Sequence, residues 1–175
     1  MAEPYAWPLE VTAHLTAVGW QPGRQVDVRE WAEKLSESSG FHMHGAAARF
    51  LAEFGGLNVP RGRAPGEDVA SVAFELDPRN GEMRRRWFQS LGCPAVGDLY
   101  PIGDASGGHA LLAIDEESTV FMMFGDQCRR VGVGREAVAN LVLGRRPSDD
   151  SSTYSASTPE TSAEDRSCAE NGASS

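Results

Sequence analysis

The sequence predicts an α+β fold, with N-terminal helices packed on a mainly antiparallel sheet and a C-terminal helix closing a single domain. Three observations predict it. In the first third, apolar residues recur at helical spacing, as in Ala46, Ala47, Phe50, Leu51 and Phe54. Short β-rich runs follow: Val72 to Leu76, Leu99 to Gly103, Ala110 to Ile114 and Thr119 to Phe124. A last helical stretch, Arg135 to Leu143, turns Val138, Leu141 and Val142 inward and stops at Gly144.

Taken in order, Val11, Leu15 and Val18 predict a short first helix ending at Gly19-Trp20. Asp27 and Glu30 have the spacing of a capping box, opening a second helix lined by Val28, Trp31, Ala32 and Leu35 and ended by Ser38-Ser39-Gly40. The third helix is expected from about His42 to Phe54, with Gly55 as its left-handed stop and a short β-like run, Leu57 to Val59, after it. Val72, Phe74 and Leu76 alternate as a half-buried strand. Asp77-Pro78 then caps a short helix directed toward Leu91. The acidic turn Asp115-Glu116-Glu117-Ser118 joins two of the later strands, and a meander is the economical topology. Trp20, Trp31, Phe50, Phe54, Phe74, Trp87, Phe121 and Phe124 are assigned to the core.

The 175 residues, 41% hydrophobic and 23% charged, supply one ordinary core. Residues 1–147 are expected to form the domain and residues 148–175 a disordered tail. That tail carries six acids against Arg166, nine serines and three threonines, with little large and apolar besides Tyr154. No apolar run is long enough to span a bilayer, and Met1 to Pro8 lacks the layout of a signal peptide, so a cytoplasmic location without membrane contact is expected. The net charge of −9 argues against nucleic acid as a partner.

Cys93, Cys128 and Cys168 are odd in number and show no CxxC spacing, so reduced thiols are expected. Cys93, His109 and Asp115 are the one set that could serve as nucleophile, base and orienter, in a cysteine-dependent hydrolase or transferase. Against it, Cys93 sits in a Gly-Cys-Pro turn with no helix N-terminus to activate a thiol. His42 and His44 lack a nearby third metal ligand and read as a surface helix start. Arg84-Arg85-Arg86 reads as a solvated helix face. Gly55, Gly56 and Gly103 read as backbone devices rather than a phosphate loop. No cofactor is implied. Asp115, Glu116 and Glu117 read as a solvated hairpin that could also steer a basic partner.

In chain order, Gly19-Trp20, Gly23-Arg24, Val26-Asp27, Trp31, Phe50-Leu51, Glu53 to Leu57, Phe74, Leu76 to Pro78 and Tyr100 to Gly103 resemble the third family of the SUKH superfamily of bacterial immunity proteins. The resemblance continues through Leu112, Ile114-Asp115, Val120-Phe121 and Leu141 to Gly144. It implies an α+β protein, not an enzyme, that binds and neutralises a cognate polymorphic toxin by stoichiometric occlusion and protects the producing cell. A nuclease or nucleotide-modifying toxin with a basic cleft would suit the acidic charge. Most matched positions hold the fold. Arg24, Asp77, Tyr100 and Asp115 match as well, and with Glu116 and Glu117 they are the candidate partner-binding residues, although the four matched ones could equally be local hydrogen-bond partners. A scaffold or regulatory interaction module is the remaining alternative.

Overall fold

Among the described residues, seven strands lie side by side in the order in which they occur along the chain, and every neighbouring pair is antiparallel. The computed structural model describes residues 6–62, 71–145 and 153–155. The strands are β1 (Asn58–Val59), β2 (Phe74–Glu75), β3 (Tyr100–Ala105), β4 (Ala110–Ile114), β5 (Thr119–Phe124), β6 (Gln127–Val133) and β7 (Thr153–Ser155). The helices are α1 (Leu9–Ala17), α2 (Arg29–Ser39), α3 (Gly45–Phe54), α4 (Arg85–Ser90) and α5 (Gly134–Leu143). Helix α5 packs on β5, β6 and α1, while α3 lies against β3. This is the expected α+β architecture, with the expected meander at its centre.

The apolar stripes become the core. Leu15, Leu35, Leu51, Phe54, Ile102, Leu112, Ile114 and Phe121 are all buried. Each such side chain contributes about 1.5 to 3 kcal/mol by leaving water. Trp20, Phe50 and Phe74 are buried as expected, whereas Trp31, Trp87 and Phe124 are half-buried at the margin.

Several local expectations need correction. No capping box forms at α2: its N-cap is Val28, and Asp27 instead takes the Arg29 amide and side chain, so that the Arg29 guanidinium draws the carboxyl pKa down to about 2. Helix α3 starts three residues later than expected, because His44 is its N-cap and accepts the Ala47 N–H through Nδ1 at 3.2 Å. Gly55 is not the left-handed residue, since its φ is −56° and Gly56 takes φ 78° instead. Gly55 is required for another reason: a Cβ there would lie 2.5 Å from the Leu51 carbonyl oxygen and 2.6 Å from the Trp31 ring. The expected helix from Asp77 toward Leu91 is two pieces, a 3-10 turn (Pro78–Gly81) capped by Asp77, and α4.

Strand β6 was not anticipated, because Arg129 and Arg130 interrupt its apolar pattern and Cys128, Val131 and Gly132 are its buried residues. Three residues of the expected tail, Thr153–Ser155, pair with Arg129, Cys128 and Gln127 of β6. The rest of that tail lies outside the described residues. The expectation of reduced thiols is overturned as well. Cys93, in the loop after α4, is disulfide-bonded to Cys128 on β6, with their Cα atoms 5.7 Å apart. Folding brings the two together by seating α4 against the β5–β6 hairpin, where Trp87 Nε1 donates to the Gly125 carbonyl at 3.3 Å. Sequence spacing carries no trace of such a contact.

Candidate functional site

Two polar assemblies stand out at the ends of α3. The first is the β4–β5 turn. The Asp115 side chain is 1% exposed and its two oxygens organise the chain around it. Oδ1 accepts the Glu117 and Thr119 amides at 3.0 and 2.8 Å, and Oδ2 accepts the Val96 amide at 3.0 Å. Three N–H donors of this kind satisfy a buried carboxylate that would otherwise be costly. The Glu116 amide donates to the Val96 carbonyl, and Glu116 Oε1 accepts the Asp98 amide at 3.3 Å. Asp115 thereby ties the turn to the loop 92–98, which the Cys93–Cys128 bond anchors at its other end. Glu116 and Glu117 stand exposed above this framework.

The second assembly lies at the C-terminal end of α3. Arg24 donates from Nη1 to the Glu53 carbonyl at 2.9 Å and from Nη2 to the Gly55 carbonyl at 2.8 Å. A guanidinium there satisfies carbonyls that a helix C-terminus leaves open and suits its partial negative charge. Arg135, from the start of α5, pairs with Glu53 at 2.6 Å and lies 5.3 Å over the Trp7 ring. Trp7 in turn packs against Trp20 and Phe54.

The other candidates are distributed between these assemblies. Asp77 caps the 3-10 turn and pairs with Arg79; burial opposes its ionisation, but the Arg79 side chain and amide outweigh burial and lower its pKa. Tyr100 has no exposed surface, its hydroxyl donates to the Trp31 carbonyl at 3.5 Å, and burial pushes its phenol pKa up. Arg24, Asp77, Tyr100, Asp115 and Glu116 all make local hydrogen bonds, and Glu116 and Glu117 are the two of the six that are exposed.

The set Cys93, His109 and Asp115 does not assemble. Cys93 is bonded to Cys128 and offers no thiol. His109 and Asp115 flank the opposite ends of β4, roughly 20 Å apart at the rise of an extended strand. His44 spends both ring nitrogens on the fold: with Nδ1 accepting from Ala47, Nε2 carries the proton and donates to the Ile114 carbonyl at 3.3 Å. Arg84, Arg85 and Arg86 are exposed around the start of α4. Arg49 and Arg135 were overlooked in the sequence. Arg49 lies three residues after buried Ala46 and off the apolar stripe, a position from which exposure could have been read.

The described residues form a single α+β domain whose charged groups gather around a pinned turn and a capped helix end. The family model described as SUKH-3 immunity protein matches residues 7–144, and the chain belongs to that family. No curated protein and no solved structure matches the chain. Among the described residues no helix is long and apolar enough to cross a membrane.

Proposed function

We propose that this protein is an immunity protein that binds a cognate toxin domain one to one in the cytoplasm and blocks it by occlusion. The family match over residues 7–144 carries this reading. Glu116 and Glu117 are the contact residues, held in place by Asp115, while Arg24, Asp77 and Tyr100 keep the surrounding surface in shape. Binding replaces catalysis as the mode of action. A stable complex of this kind covers about 800 Å² on each partner, with a few anchors supplying most of the affinity. The acidic chain favours a toxin with a basic substrate cleft, such as a nuclease or nucleotide-modifying enzyme, because opposite fields speed encounter.

Co-purification of the tagged chain from its native cells, at low and at moderate salt, tests the reading. A one-to-one complex with a toxin encoded beside it is the expected result, with weaker capture as salt rises. Recovery of no protein partner in either condition overturns it.

A further inference from the structure

The outer side of α3 is a groove, and its charge is opposite to that of the chain as a whole. One depression of about 680 Å³ runs between the segment Gly23 to Arg29 and α3. A second of about 130 Å³ continues toward Ser118 and the start of α5. The two share Arg49, Glu53 and Arg135, so they form one continuous strip from Arg24 to the acidic turn. Four arginines line it, Arg24, Arg29, Arg49 and Arg135, against two acids, Asp27 and Glu53. The chain carries −9 in total, yet this strip has two more bases than acids.

The four guanidiniums are not equivalent. Arg29 is paired with Asp27, and Arg135 with Glu53. Arg24 is turned onto two backbone carbonyls. Arg49 is exposed, and no hydrogen bond or ion pair engages it among the described residues. We propose that this groove receives a carboxylate-bearing segment of the partner protein, with an Asp or Glu seated on Arg49 between the two neutralised ion pairs. The proposal rests on the toxin-binding reading and names the chemistry of the toxin surface.

Charge complementarity selects the occupant. Within an acidic chain, this groove offers a carboxylate a net positive lining and a planar donor fork free to bind it bidentately. Arg135 and Arg24 are already immobilised by their partners, so the walls are ordered before binding and ordering costs less at that moment. Glu116 and Glu117 rise at the turn beyond Ser118. A partner therefore meets a positive point and a negative point along one strip, and that pattern fixes its orientation as well as its affinity.

The test uses the full chain and the toxin domain encoded beside it, purified as an inactivated variant, with binding read by calorimetry. Arg49→Glu is expected to weaken binding by about tenfold or more, and Arg49→Ala by a smaller factor, with the fold intact because the side chain is exposed and helix propensity changes little. Arg86→Glu, on α4 and away from the groove, changes binding by less than about twofold. Reversing the matching acid on the toxin to Arg restores affinity toward Arg49→Glu. If Arg49→Glu binds as well as the unmodified chain, the groove assignment is overturned while the immunity reading stands. If the unmodified chain does not bind the toxin, both fall.

Discussion

The junction at the end of α3 and the turn at the end of β4 do the same job by different physics. At Phe50 to Leu57 the chain reverses because rings and backbone fit: Phe54 packs 5.0 Å from Phe50 and 5.7 Å from Trp7, and Gly55 lets the Trp31 ring approach. At Asp115 to Ser118 one buried carboxylate collects three amides from two segments. Packing of the first kind depends on volume and is insensitive to pH. A polar centre of the second kind depends on the partners of a single side chain, and it also orders a loop some twenty residues earlier in the chain.

The contrast can be broken at several points. Phe54→Ala removes a ring that is 1% exposed and should cost about 3 to 5 kcal/mol, read as a lowered denaturation midpoint. A near-neutral result would contradict the packing account of the junction. Cys128→Ser, or treatment with reductant, opens a covalent loop with a sequence separation of 35 and should cost about 3 to 4 kcal/mol in the same assay. Equal midpoints with and without reductant would mean that the disulfide adds nothing. Asp115→Ala leaves the Val96, Glu117 and Thr119 amides without their acceptor and should cost about 2 to 3 kcal/mol. Hydrogen exchange should then speed up at Val96 as well as at Thr119, and acceleration confined to the turn would separate the loop from Asp115.

The smallest effect expected is at Asp77→Ala, about 1 kcal/mol for a lost cap. Its pH dependence gives the sharper reading. The folded carboxyl has a lowered pKa, so its contribution is present above the ordinary value of 3.8 and is lost as pH falls through the folded value. The difference between Asp77→Ala and the unmodified chain should therefore shrink below about pH 4. A constant difference across that range would assign the loss to packing.

The two regions also differ in how far the sequence disclosed them. Ala46, Phe50 and Phe54 announce their face through spacing within one element, and Gly144 and Gly40 announce helix ends through their own conformational preference. Asp115 was visible as an acid in a turn, but its bond to Val96 joins residues nineteen apart whose proximity depends on the sheet. Glu53 and Arg135 are separated by 82 residues, and Cys93 and Cys128 by 35. Such pairs leave no periodic mark, so the candidate residues could be named but not sorted into those beneath the surface and those on it. Strand β6 escaped for a related reason: its arginines look solvated in sequence, although Met122 Sδ accepts an N–H from Arg129 at 3.5 Å.

The Cys93–Cys128 bond also sets what a protease can achieve. A cut at Glu116 or Glu117, the exposed tip of the acidic turn, falls inside the covalent ring, so the two pieces stay joined and migrate as one chain until a reductant is added. A cut at Arg61, outside the ring, frees the N-terminal peptide from any covalent connection, and the three N-terminal helices then stay on the sheet through buried faces, the pairing of β1 with β2 and polar contacts such as Glu53 with Arg135.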